Sequence, residues 1–366
     1  MHNHVLASKR RRRVVTVMSA VAGSLLVSAG FGPLSLPSAS AQTAGAVIPS
    51  PSKTDNELSG VSAVSGTDAW AVGYYGVGAQ GSGDDNTLTL RWNGASWAKV
   101  TSPNKLPGQT NQLAGVYARA ANDVWAVGDD SSSSTPLATL ILHWNGTKWS
   151  QVSSPTPVNS YLNLAGVSAI SASDAWAVGT YYNNTTNTYD TLTLHWNGSS
   201  WSEVSSPNPD AAGENRLNAV SADGANDVWA VGTLCSIVSG VCAFSDESTL
   251  ILHWNGTKWA KVTSPSPSTK ASLLNGVSAD PASAKDAWAV GWYTNTSGAD
   301  DTLTLRWNGT KWSQVTGSNP SASTNFLQAV ATISQSNALA VGVEANASGV
   351  FDTLGLHWNG TTWATT

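Results

Sequence analysis

Residues 86–92, NTLTLRW, alternate strictly: Thr87, Thr89 and Arg91 are polar, and Leu88, Leu90 and Trp92 between them are apolar. A period of two places the two sets on opposite faces of a β-strand. Upstream, GVSAVS (60–65) and AWAVGYY (69–75) read as two more strands, and Ala69 and Ala71 alternate with Trp70 and Val72. Downstream, Asn93-Gly94 suits the left-handed backbone of a hairpin turn, and SWAKVTS (96–102) follows as a fourth strand. Trp92 and Trp97 then face each other across the hairpin and supply apolar area to a small sheet. In the fourth strand Trp97 and Val100 are three residues apart, so simple alternation fails and a bulge or strong twist is expected.

This four-strand pattern recurs. LSGVSAVSGTDAWAVG, starting at Leu58, returns at 113–128, 164–179, 217–232 and 274–291, and in the diverged form LQAVATISQSNALAVG at 327–342. The WNG turn begins at Trp92, Trp144, Trp196, Trp254, Trp307 and Trp358. Of the 18 tryptophans, only Trp292 lies outside three repeated positions. A unit of this size cannot bury both sheet faces by itself and must stack on copies. The sequence therefore predicts an all-β fold, a six-bladed β-propeller with four-stranded antiparallel blades. Small residues and the absence of charge in AWAV mark the second strand as the inner one. The sequence stops at WATT, so closure is expected by the N-terminal strand, with 58–65 pairing against 327–366. AVIPSPS (46–52) resembles KVTSPSPS (261–268) and is expected to extend or lie beside the WATT strand.

AWAVG, then TLTLRW, then a turn and a tryptophan, is similar to the strand order of kelch repeats, with the single Gly73 in place of a glycine pair. The same residues resemble the repeats of photosystem II assembly factors and BNR-type propellers, although the BNR aspartate box is absent. Over about 58–366 the resemblance implies a bacterial secreted propeller repeat protein; it implies no particular activity, because this fold carries many.

The N-terminus adds a destination. Lys9–Arg13 are five cations, followed by the apolar VVTVMSAVAGSLLVSAGFG and by Ala39-Ser40-Ala41. That order is a secretory signal peptide, so 1–41 reads as the signal, 42–57 as a Pro-rich lead and 58–366 as the propeller. The expected location is extracellular or at the cell surface, with no stable transmembrane anchor, and the expected state is a monomer. Without the signal, 13 cations face 23 anions, a formal charge of −10. Such a surface repels phosphate backbones, which argues against nucleic acid and leaves an extracellular polysaccharide or protein as partner. Cys235 and Cys242, the only cysteines, stand in one loop of an exported chain and are read as a disulfide.

Strand parity places the short, uniform turns on one face and the long, dissimilar loops on the other. A scaffold with one variable face binds with it. The ligand-binding candidates there are Tyr75, Tyr182, Trp292 and Tyr293, whose rings suit sugar faces or peptide anchors; the competing reading is packing between blades. Asp85, Asp190, Asp301 and Asp352 precede third strands and are weak candidates for Ca²⁺, against a reading as loop-ending residues. No other cofactor is expected. The aspartates before each xWAVG read as turn residues. The position shared by His143, His195, His253, His357, Arg91 and Arg306 reads as structural. No catalytic residue is assigned. The reading is a non-enzymatic binding or scaffold propeller for an extracellular glycan, cell-surface polymer or protein; the alternative is a glycan-directed hydrolase or lyase working on the variable-loop face or in the channel.

Overall fold

The computed structural model describes residues 56–77, 84–106, 108–131, 137–157, 161–238, 241–280, 282–346 and 348–366. Residues 1–41, read from the sequence as a signal, and residues 42–55 of the expected lead lie outside them. Blade one contains β1 (Asn56–Ser65), β2 (Asp68–Gly76), β3 (Asp85–Trp92) and β4 (Trp97–Val100). Blade two contains β5 (Thr110–Ala120), β6 (Asp123–Ser131), β7 (Ala138–Trp144) and β8 (Trp149–Gln151). Blade three contains β9 (Leu162–Ser171), β10 (Asp174–Asn183), β11 (Thr188–Trp196) and β12 (Trp201–Glu203). Blade four contains β13 (Glu214–Gly224), β14 (Asp227–Val238), β15 (Val241–Trp254) and β16 (Trp259–Lys261). Blade five contains β17 (Ser272–Asp280), β18 (Ser283–Thr294), β19 (Asp300–Trp307) and β20 (Trp312–Val315). Blade six contains β21 (Asn325–Ser334), β22 (Asn337–Ala345), β23 (Phe351–Trp358) and β24 (Trp363–Thr365). Each blade is an antiparallel sheet of four consecutive strands, and the six form a ring, an all-β six-bladed propeller.

Three expectations of detail are corrected. First, β1 pairs with β2 and not with blade six, which has its own fourth strand in β24. The turn at Gly66-Thr67 is too short for β1 to leave its neighbour. Second, the innermost strand of each blade is the first one. Gly60, Gly115, Gly166, Ala219, Gly276 and Ala329 line a central cavity of about 140 Å³. Backbones of successive blades converge there: a Cβ on Gly115 would lie 2.9 Å from the Ala165 carbonyl oxygen. Third, the fourth strand needs no bulge. β4 pairs in plain register with β3, and Trp97 and Val100 belong to different cores, because Val100 packs into the cluster that holds Trp144 and Trp149 of the next blade.

Tryptophans hold the junctions. Trp176 on β10 lies 4.8 Å from Trp254 and 5.2 Å from Trp259 of blade four, centroid to centroid. Trp70, Trp125, Trp229 and Trp288 make the same approach to the pair in the following blade. The inner tryptophan of three blades is covered by its own histidine: the His143, His195 and His253 rings lie 4.2–4.4 Å from Trp125, Trp176 and Trp229. Arg91 and Arg306 cover Trp70 and Trp288 in the same way. The aspartate before each xWAVG fixes the cover, as in the Asp227–His253 contact of 2.7 Å and the bidentate Asp68–Arg91 pair at 2.9 and 2.8 Å. These aspartates are thus locks on the tryptophan cover as well as turn residues. Burial pushes the Asp123 carboxyl up, but bonds from His143 and Arg119 outweigh it and hold the carboxyl below its ordinary value.

Toward the uniform turns, Tyr117, Ser168, Ser221, Asp223, Ser278 and Thr332 line a second cavity. Burial, then the Asp227 and Asp280 carboxylates, push Asp223 up to about 6. A raised folded-state pKa means that the folded chain holds this proton more tightly, so its contribution to stability falls as pH rises between the unfolded and folded values. Asp223→Asn should therefore raise the melting temperature near neutral pH, by at most about 3 kcal/mol of stability. The gain should vanish below about pH 4, where the carboxyl is protonated in both states. Thermal melts of both proteins at the two pH values check this.

Candidate binding surface on the variable-loop face

Blade three presents a tyrosine shelf. Tyr182 is the next-to-last residue of β10 and Tyr189 the second of β11, directly opposite in the ladder, with ring centroids 5.2 Å apart. Tyr161, just before β9, sets its ring edge-on to Tyr189 at 5.9 Å. Its carbonyl accepts from the Tyr182 N–H at 2.6 Å, which ties the lead into β9 to the end of β10. The loop between Tyr182 and Tyr189 is shaped by Asn183, whose side-chain oxygen accepts from the Thr185 N–H, and by Asn187 in the left-handed region at φ 58°. From blade four, the Arg216 guanidinium lies 4.7 Å over the Tyr189 ring and pairs with Glu214. Burial pushes the Tyr189 phenol up, and Arg216 offsets only part of that. Tyr161 is 53% exposed, Tyr182 and Tyr189 are half-buried. The result is an open aromatic surface with a cation at one edge.

The other candidates stand apart from it. Tyr75 is capped by Lys99, whose Nζ lies 3.7 Å from the ring centroid, and its hydroxyl accepts from Asn86. Burial pushes the Tyr75 phenol up, but bonds from Lys99 and Asn86 hold it below its ordinary value. Trp292 packs on Phe326 of blade six at 4.8 Å, and Tyr293 joins the core between blades four and five. Because the second strand is one place out from the axis, none of the four lines the central cavity. Tyr161 and Tyr189 escaped sequence reading. Tyr161 lies outside the repeated motif, and in NTYD the residue that recurs before third strands is Asp190, not Tyr189.

Asp85, Asp190, Asp301 and Asp352 lie in four different blades. Each accepts from a nearby amide side chain: Gln112 to Asp85 at 2.7 Å, Asn183 to Asp190 at 2.8 Å, Asn295 to Asp301 and Asn346 to Asp352 at 3.0 Å. Among the described residues no group of three or more His, Cys, Asp or Glu side chains is placed to hold a metal ion. Cys235 and Cys242 form a disulfide across the extended β14–β15 hairpin, with Cα atoms 5.8 Å apart. No helix among the described residues is long and apolar enough to cross a membrane.

No protein-family model matches the sequence, and no curated protein matches it. Solved structures do match in shape. A PL25 ulvan lyase superposes with TM-score 0.54 and 11% identity over 84% of this chain and 80% of its own. The GH74 xyloglucanase of Xanthomonas campestris gives 0.52 and 13% over 84% of this chain and 46% of its own. These two likenesses are of fold. YCF48, solved with a D1 peptide, gives 0.49 and 14% over 84% of this chain and 81% of its own. Repeat, strand order and shape agree that the chain is a propeller repeat protein.

Proposed function

We propose that this chain is a secreted, non-enzymatic binding propeller that takes an extracellular polymer, foremost a neutral glycan, on the shelf of Tyr161, Tyr182 and Tyr189. The observation that carries the reading is the exposed Tyr161 ring held in an aromatic cluster on the variable-loop face. Rings at these angles stack on the apolar faces of pyranoses, while phenol hydroxyls and Arg216 meet sugar hydroxyls. The formal charge of −10 without the signal disfavours polyanions. The signal-peptide pattern and the disulfide support an extracellular setting. Enzymes that act on polysaccharides share the fold, and that likeness supports architecture only.

The test is an array of glycans and cell-wall polymers probed with residues 42–366, followed by binding isotherms for Tyr161→Ala and Tyr189→Ala. Each change should weaken binding by about 2 kcal/mol, near thirtyfold. Tyr161→Ala should change the melting temperature little, because about half of its surface is in solvent. Unaltered isotherms would refute the shelf, and turnover of any polymer would refute the non-enzymatic reading.

A further inference from the structure

A row of three aromatic rings crosses from blade five to blade six on the variable-loop face, apart from the tyrosine shelf. Trp292 on β18 meets Phe326 on β21 at 4.8 Å between centroids, and Phe326 stacks on Phe351 of β23 at 6.5 Å and 24°. Exposure rises along the row. Trp292 and Phe326 are half-buried, Phe351 is 37% exposed, and Val350 beside it is 57% exposed. Val350 is tied down by its backbone: its N–H donates to Asn346 Oδ1 at 3.0 Å, and its carbonyl accepts from the Asn346 N–H at 2.8 Å. The ladder partner of Phe351 is Ala345, which is too small to cover the ring.

The repeat does not require these rings. Trp292 follows the glycine that closes the xWAVG motif, and Phe326 precedes the leucine that opens the first-strand motif of the next blade. At the four preceding junctions the same two places hold Tyr74 with Gln112, Asp129 with Asn163, Thr180 with Arg216, and Thr233 with Leu273. Phe351 lies two residues before the third-strand threonine, a place held elsewhere by Asp85, Leu137, Tyr189, Glu247 and Asp300. Those junctions form without a pair of aromatic rings. Interblade packing therefore does not account for an aromatic row that ends in solvent, and an exposed apolar patch of this kind marks an interaction surface.

The charge around the row is one-sided. Asp300, Asp301, Glu344 and Asp352 stand at this end of blades five and six, against one cation, Lys270. Among the described residues none of the four carboxylates is in an ion pair. Burial pushes the Asp300 carboxyl up, the bond from Thr294 offsets only part of this, and the Asp301 charge adds to it. Asp352, next to Phe351, lies directly opposite Glu344 in the ladder. Like charges in that relation destabilise a sheet, and a cation brought between them relieves the repulsion.

We propose that this end of blades five and six docks a peptide segment of a partner protein that carries apolar and cationic side chains together. Its apolar side chains cover Phe326, Phe351 and Val350, and its lysines or arginines meet Glu344, Asp352 and Asp300. Cationic groups are also drawn to the ring faces. Phenylalanine and valine offer a sugar no hydroxyl, unlike the shelf tyrosines, so a glycan is the poorer fit. The row and the shelf serve different ligands on one face, and neither reading depends on the other.

The probe is a labelled twelve-residue peptide alternating leucine and lysine, titrated with residues 42–366 by fluorescence anisotropy. Saturable binding is expected, with serine–lysine and leucine–glutamate versions at least about tenfold weaker. Phe351→Ser should weaken binding about tenfold. Val350→Ser, at a more exposed position, should weaken it about threefold and keeps the test sound if Phe351→Ser lowers the melting temperature. Glu344→Gln with Asp352→Asn should weaken it about fivefold at low salt, with the loss shrinking as salt rises. Tyr161→Ala should leave it unchanged. Hydrogen exchange with the peptide bound gives a reading free of substitutions: slowing is expected in 292–294, 324–326 and 350–352. The proposal is overturned by absence of saturable binding, by equal binding of the serine–lysine peptide, or by an affinity that neither Phe351→Ser nor Val350→Ser moves. Capture of a neutral polymer that Phe351→Ser abolishes would assign the row to a glycan and overturn it as well.

Discussion

Trp176→Ala should cost about 3–5 kcal/mol, the range for removing a buried aromatic ring. Trp176 is 1% exposed and fills the space between His195 of its own blade and Trp254 and Trp259 of the next. Its loss leaves a void at a junction that cannot collapse, because both walls are sheets fixed in their own ladders. It also uncovers His195, which lies 4.4 Å from the Trp176 ring and contacts Asp174 at 2.9 Å. Leu339→Ala is the matched control at the sixth copy of this position. Leu339 is 43% exposed, so its truncation should cost well under about 1 kcal/mol. Urea unfolding of both variants checks the contrast. Equal losses would mean that the tryptophan triads do not hold the blades together.

Gly179→Ala should be at least as damaging, on the order of 4 kcal/mol or more. An added Cβ would lie 1.9 Å from the Asn163 carbonyl oxygen and 2.9 Å from the Leu164 Cα. The first strand shifts register here, opposite Val178 and Gly179, and its backbone presses on the glycine. Neither strand can retreat, since β9 faces the channel and β10 is bonded to β11 on its other side. The glycine closing each xWAVG motif meets the same carbonyl contact at 1.8–2.0 Å, which is why the motif ends as it does in all six copies. Gly224→Ala is the control, because nothing lies within 4 Å of its added Cβ. Soluble yield and unfolding midpoint should separate the two variants.

The repeat, the four strands and the division into a uniform and a variable face were all legible, because each follows from period and length. The radial order was not. Ala69 and Ala71 suggested crowding at the axis, yet the crowded positions are Gly60, Gly115 and their equivalents, where backbones and not side chains meet. The aspartate lock was hidden because it joins Asp174 to His195 across 21 residues, although one sign was present. The diverged sixth copy changes the aspartate and the covered tryptophan together, to Asn337 and Leu339, and keeps His357 bonded to Asn337 at 3.0 Å. Of the shelf, sequence found Tyr182 alone. Tyr189 reaches it through the β10–β11 ladder opposite Tyr182, and Tyr161 from the loop before β9; neither residue recurs in the other units.

Hydrogen exchange of residues 42–366, with and without the polymer selected on the array, tests the binding site most directly. Slowed exchange confined to the segments around Tyr161, 182–189 and 214–216 is the predicted result. Protection in the channel-lining strands or on the uniform turns, with the shelf unchanged, would contradict it.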